Sequence, residues 1–164
     1  MADRSVHVRP ATQTDRLRLG EMAGKLVRLH HSFDRSRFLA LEDVEDGYGR
    51  WLVREASRDR AIVLVAESGD GAIVGYLYGT LEDMSWEDLR GPCGYLHDLW
   101  VDDDARGGGV ATALVEGASD RFRERGAPRL VLMTASRNAS AHALFRKLGF
   151  RDTMIEMTRE LPPA

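Results

Sequence analysis

The stretch LHDLWVDDDARGGGVATAL, residues 96–114, decides how the rest of the chain reads. LHDLWV has the apolar and aromatic character of a β-strand, glycines follow at 107, 108 and 109, and VATAL opens a run with helical spacing. A strand, a glycine loop and a helix start make a ready anion site. The first N–H groups of a helix have no partner within it, and the aligned peptide dipoles place roughly half a positive charge there. Glycine lets the backbone approach a ligand closely and adopt positive φ. Arg106 at the mouth adds a planar cation that matches phosphate oxygens. The natural occupant is a phosphate or pyrophosphate; the plain alternative is a glycine-rich turn that holds nothing.

Two known phosphate loops can be set aside. A nucleoside-triphosphate loop needs Lys-Ser or Lys-Thr after its last glycine, where this chain has Val110 and Ala111. The dinucleotide fingerprint needs Gly or Ala where Thr112 stands, and a carboxylate after the next strand, which ends Met133-Thr134-Ala135.

Outward from the loop, Val6 and Val8 alternate with polar neighbours as a short opening strand. Leu19, Met22, Ala23, Leu26 and His30 recur at helical spacing within residues 12–31. A second helix spans about Asp43 to Ser57, with Val44, Tyr48, Trp51 and Leu52 on one face. IVLVAE, SGDG and AIVGYLYGTL read as strand, turn and strand. After the glycine loop, Ala111, Leu114, Val115, Ala118 and Phe122 line a helix that Gly126 and Pro128 stop. RLVLMTA reads as a buried strand. Ala141, Leu144, Phe145 and Leu148 mark a last helix closed by Gly149, and FRDTMIEMTREL reads as a last strand. The order β-α-α-β-β-β-α-β-α-β predicts an α/β protein, a mixed sheet with helices on its faces.

Length and composition narrow the classes. The chain has 164 residues, read as a single domain over 1–164, with 43% hydrophobic and 30% charged residues. A net charge of −3 carries no basic footprint, which argues against nucleic acid. The lone Cys93 excludes an internal disulfide framework and fits a reducing compartment. The opening MADRSVHVRP has no apolar leader core, and the apolar run AIVLVA is far too short to span a bilayer. The expectation is a cytoplasmic protein with no membrane partner. No Cys/His cluster has metal-ligand spacing, so no metal is expected.

Arg106-x-x-Gly109-x-Ala111, joined to Asn138-x-x-Ala141-x-x-x-Phe145-x-Lys147-x-Gly149-Phe150, resembles the GCN5-related N-acetyltransferases, and VRPATQTD and the element order extend the likeness over nearly the whole chain. The resemblance implies that fold, acetyl-CoA as cofactor, and acetyl transfer to a primary amine of a small molecule or peptide by direct transfer in a ternary complex. It places the pantetheine arm along Leu99, Trp100 and Val101. It places the pyrophosphate on Arg106, Gly107, Gly108, Gly109, Val110, Ala111 and Thr112. Asn138 is expected to cap its helix, to contact the pantetheine, or both. Relatives are often dimers, so a homodimer is a possible assembly.

The chemistry needs a base for an ammonium with a pKa near ~10, a donor for the developing oxyanion, and a route for the departing sulfur. Asp98 is the first candidate base, since relatives often carry Glu-Asp here; His97 replaces the first member of that pair and is the second candidate, its ordinary pKa of ~6.5 suiting the role. The plain readings are a salt-bridge partner within the sheet for Asp98 and a hydrogen-bonded structural residue for His97. On a regular strand His97 and Asp98 point to opposite faces, unless a bulge re-aims one. The resemblance supplies the oxyanion donor as a backbone N–H near Leu99. Phe145 stands where many relatives have a tyrosine that serves the sulfur; it has no hydroxyl, so water or His142 is left for that task. This departure keeps an alternative open: an acyl-CoA-binding or regulatory domain with little turnover. The acceptor pocket is expected from about His30 to Asp46, where Asp34, Glu42, Asp43, Glu45 and Asp46 favour a cation and Arg35 and Arg37 an anion. The same acids also suit a solvated helix start.

Overall fold

The computed structural model describes residues 6–163; residues 1–5, the start of the opening read above for a leader, lie outside it. The elements run β1 (His7–Pro10), α1 (Arg16–Phe33), α2 (Glu45–Glu55), β2 (Ala61–Glu67), β3 (Ile73–Glu82), β4 (Cys93–Val101), α3 (Val110–Glu124), β5 (Leu130–Leu132) and α4 (Ala139–Lys147). The strands form one sheet in the order β1-β2-β3-β4-β5. Neighbours are antiparallel except β4 and β5, which are parallel.

Strand alternation sorts the core onto two faces. Ala61, Val63, Val65, Tyr76, Tyr78 and Trp100 face Leu19, Met22, Ala23, Leu26, Leu52 and Val53 of α1 and α2. Ile62, Leu64, Leu77, Leu96 and Val101 face Val110, Leu114, Val115, Ala118 and Phe122 of α3, with Phe145 of α4 packed alongside. Leu19, Met22, Ala23, Leu26, Leu52, Leu114, Val115, Ala118 and Phe122 are buried as their spacing predicts, while His30, Val44, Tyr48, Trp51 and Ala111 are half-buried. Arg9 ties the outer strand down: it bonds Asp15 at 2.8 Å and Glu67 at 2.6 Å.

α4 is closed at both ends by local chemistry. The Asn138 side chain accepts from the Ala141 N–H at 3.2 Å. At the other end Gly149 has φ 86°, and the Gly149 and Phe150 N–H groups reach the carbonyls of Arg146 and Phe145 at 3.1 and 3.0 Å. These are the paired bonds of a glycine-terminated helix.

Two expectations are corrected. RLVLMTA is not a long buried strand: only Leu130–Leu132 pair, all half-buried, and Met133 is exposed. FRDTMIEMTREL forms no strand. Residues 151–163 are exposed and without ladder partners, and the observed order ends at α4. The segment is held by ion pairs from Arg146 to Asp152 and from Arg37 to Glu156. A β-pattern states that a segment can pair, but a strand exists only where an edge accepts its backbone bonds.

Candidate active site

β4 leads into a short 3-10 turn, Asp103–Ala105, and then into the glycine loop. Gly107 and Gly109 have φ of 77° and 82°, a region that costs other residues about 1–2 kcal/mol. A methyl group at either would meet nothing within 4 Å, so the backbone angles and not crowding require glycine. Val110 starts α3, whose first internal bond here is from the Ala113 N–H to the Gly109 carbonyl at 2.9 Å. Among the described residues, no acceptor is bonded to the N–H groups of Gly107, Gly108, Gly109, Val110, Ala111 or Thr112. Arg106 braces this cradle. Its Nε donates to the Val101 carbonyl at 3.1 Å, its Nη1 pairs with Asp103 at 2.7 Å, and its guanidinium lies over the Trp100 ring.

Beside the loop, β4 parts from β5. The two pair only at Gly94–Leu130, Tyr95–Val131 and Leu96–Leu132, so from His97 onward β4 has no partner strand on that side. Leu99, Ala111 and Phe145 are partly buried and pack against the α3 side of the core. Phe145 packs edge-on against Phe150 at 5.5 Å. The Trp100 side chain turns to the other face, where its indole N–H donates to Asp102 at 3.1 Å. Asn138 uses its oxygen as the cap of α4, which leaves its amide N–H₂ without a partner among the described residues. His142 Nε2 lies 3.0 Å from the Ala135 carbonyl and is engaged there. A donor set of unpaired amides in front of a helix N-terminus, next to the unpaired edge of β4, fits a pyrophosphate carrying an extended arm.

The other side of β4 holds the titratable groups. Opposite β3, Tyr78 faces Asp98 but Gly79 faces Leu96, so His97 is the extra residue of a bulge. The bulge cancels the alternation, and His97 and Asp98 both lie on the α1/α2 face. Tyr78 and Tyr95 stack on the two sides of the imidazole, with centroids at 5.1 and 4.8 Å. Its Nε2 lies 2.8 Å from Thr80 Oγ1 and 3.5 Å from Glu82 Oε1. Burial holds His97 below its ordinary pKa, against the opposite pull of Glu82 and Asp98.

Asp98 is 8% exposed, and its Oδ2 accepts from the hydroxyls of Tyr48 at 2.9 Å and Tyr76 at 3.0 Å. Burial raises its carboxyl above the ordinary range although both hydroxyls favour the charged form. All four tyrosines of the chain therefore converge on these two residues. Nothing in the linear pattern marks them, because Tyr48, Tyr76, Tyr78 and Tyr95 come from α2, β3 and β4. Thr80 and Glu82 were equally unmarked, although their period-2 spacing from Tyr78 puts them on the same face. Tyr95 stacks on the imidazole of the candidate residue His97.

The α1–α2 connection lies close by. His30 packs on Phe33 and Phe38 at 6.1 and 5.1 Å, and Tyr48, Trp51 and Tyr78 continue the ring contacts towards His97. Of the acids expected to face the acceptor, Glu45 and Asp46 open α2, where Glu45 pairs with Arg28 and Asp46 with Arg16. A surface recess of about 260 Å³, lined by Val27, Arg28, His31, Arg35, Leu39 and Glu42 among others, includes neither His97 nor Asp98. Cys93 is buried, and burial raises its thiol pKa, so it offers no activated nucleophile. Among the described residues, no helix is long and apolar enough to cross a membrane, and no group of His, Cys, Asp or Glu is placed to hold a metal ion.

Comparison with known proteins adds three findings. The acetyltransferase (GNAT) family profile matches residues 26–150, well over half of the chain. A mycothiol acetyltransferase of Saccharomonospora viridis is 34% identical over 103 residues, 60% of this chain and 34% of that protein. An L-methionine sulfoximine/L-methionine sulfone acetyltransferase of Pseudomonas aeruginosa is 34% identical over 90 residues, 54% of this chain and 49% of that one. The chain thus spans about a third to a half of the length of these curated relatives. Among solved structures, a mutant of the BH1408 protein from Bacillus halodurans superposes with a TM-score of 0.79 at 21% identity, covering 96% of this chain and 99% of that one.

Proposed function

Because the chain belongs to the acetyltransferase (GNAT) family, we propose that it moves an acetyl group from acetyl-CoA to a primary amine of a small molecule or peptide, within a ternary complex. The observation that carries this reading is the row of unpaired amides from Gly107 to Thr112 beside the parted edge of β4. Acetyl-CoA supplies an activated thioester carbonyl and a thiolate leaving group. The amides and the α3 dipole hold its pyrophosphate, while Arg106 keeps the loop in shape. The free edge of Leu99, Trp100 and Val101 and the amide of Asn138 serve the pantetheine arm. A backbone N–H near Leu99 is the proposed oxyanion donor.

His97 takes the proton that the acceptor's ammonium must lose. It is the partly exposed member of the pair, and its lowered pKa keeps it neutral near pH 7, whereas Asp98 is enclosed by two phenols. Asp98 therefore supports the wall of the acceptor cleft. The ring row Tyr48, Trp51, Tyr78, His97 and Tyr95, with Glu82 at its rim, suits a cationic amine. Phe145 cannot protonate the sulfur, so water does, a small demand on a thiol with an ordinary pKa of ~8.5. A cytoplasmic setting accords with the lone, buried Cys93.

The test is release of free thiol from acetyl-CoA across polyamines, aminoglycosides, amino acids and peptides. Amine-dependent release is expected. Calorimetric binding of acetyl-CoA with no release against any amine would replace this reading with a binding or regulatory role, which the missing hydroxyl at Phe145 would then explain. No heat from coenzyme A or acetyl-CoA would remove both.

A further inference from the structure

We propose that Thr80 and Glu82 are positioning residues that lock His97 as the Nε2–H tautomer, leaving Nδ1 as the atom that takes the acceptor's proton. The inference rests on the acetyl-transfer reading for the source of that proton, but the tautomer itself follows from the hydrogen-bond geometry. An ionised Glu82 can only accept. Thr80 has one hydroxyl proton, and its Oγ1 donates to Glu82 Oε1 at 3.2 Å. With the Thr80 hydroxyl turned to Glu82, its oxygen is left to accept from His97 Nε2 at 2.8 Å, and on this arrangement we assign the hydrogen to Nε2. The Glu82 Oε1 at 3.5 Å from the same nitrogen favours the same assignment. His97 Nδ1 has no hydrogen-bond partner among the described residues.

Packing on both sides of the ring opposes a flip that would exchange its two nitrogens. Tyr78 and Tyr95 flank it at interplanar angles of 26° and 22°, and the bulge fixes its backbone. Glu82 is itself held: its Oε2 accepts from Arg90 Nη2 at 2.6 Å, and the Arg90 guanidinium lies over the Tyr95 ring. The charged and titratable groups around His97 are therefore Tyr78 and Glu82 on β3, Asp98 and Tyr95 on β4, and Arg90 from the β3–β4 connection. Glu55 of α2 stands behind Tyr78, 3.5 Å from its hydroxyl. In the proton step an ammonium N–H bond breaks and an Nδ1–H bond forms. The resulting imidazolium keeps its Nε2–H on Thr80 with the Glu82 charge close by. Its ring, 33% exposed, then returns the proton to solvent.

The experiment is long-range proton–nitrogen NMR of the imidazoles in the full chain labelled with nitrogen-15 histidine. His97→Asn identifies the resonance. In the wild type above the His97 midpoint, Nε2 should show the protonated shift and Nδ1 the bare one. Removing the carboxylate in Glu82→Gln should lower the His97 midpoint by about half to one pH unit. The acid limb of kcat/KM should move down with it. Thr80→Val should mix the tautomers and Thr80→Ser should restore the single one. An Nδ1–H tautomer in the wild type, or one midpoint for wild type and Glu82→Gln, overturns the proposal. These signals come from the free protein, so a lack of thiol release with every amine would remove the acetyl-transfer reading and the proton's source while leaving the tautomer measured.

Discussion

At Asp98 two influences oppose each other, and their balance has a measurable consequence. Burial disfavours the carboxylate, the hydroxyls of Tyr48 and Tyr76 favour it, and burial prevails, so the folded pKa stands above the unfolded one of ~3.9. The folded chain then binds the proton more tightly than the unfolded chain does. The stability contribution is fully present below the unfolded pKa and is lost as pH rises through the raised folded value. Asp98→Asn removes this titration while keeping an oxygen for the phenols. In melts followed by circular dichroism from about pH 4 to about pH 8, the variant should gain on the wild type as pH rises. A difference independent of pH would mean that Asp98 titrates as it does in the unfolded chain. At this scale the sequence offered His97 and Asp98 as candidates, and the structure places both on one face of the sheet. Their partners were hidden, because a tyrosine in a strand looks the same whether it packs or donates to a carboxylate.

Among the elements, α4 shows what local sequence can specify. Asn138 at one end and Gly149 at the other are read directly from the chain, since each satisfies groups that the helix itself leaves open. Gly149→Ala forces a side chain into φ 86° and should cost about 1–2 kcal/mol in urea unfolding. A loss below ~0.3 kcal/mol would show that the terminus relaxes into another cap. β5 and the segment after α4 show the opposite case. Their apolar residues suggested long strands, yet β5 stops at Leu132, where β4 bulges, and the later segment has no edge bonded to it. Strand length is settled by the partner's backbone, which no single segment reports.

Across the whole molecule, the glycine loop, the parted β4 edge and α4 are the proposed binding surface for acetyl-CoA, and a ligand bound only by the folded chain couples to global stability. Acetyl-CoA at about 100 times its dissociation constant should add about 2.7 kcal/mol to unfolding, seen as a rise in melting temperature. Gly109→Glu puts a carboxylate among the free amides and a side chain at φ 82°. The variant should melt lower by itself and show little or no rise with acetyl-CoA. An undiminished rise would place the pyrophosphate elsewhere. From sequence alone came the element order through α4, most of the buried helix faces, the glycine loop before α3 and the caps of α4. Each is written in spacing or in a residue with a special backbone, and such signals act over a few neighbouring positions. Only the tertiary structure decided that His97 is bulged onto the face of Asp98, that four tyrosines and the Thr80–Glu82 pair surround them, and where the strands end. Those facts depend on register between strands and on packing between distant segments, where residues far apart in the chain meet under constraints that no local pattern contains.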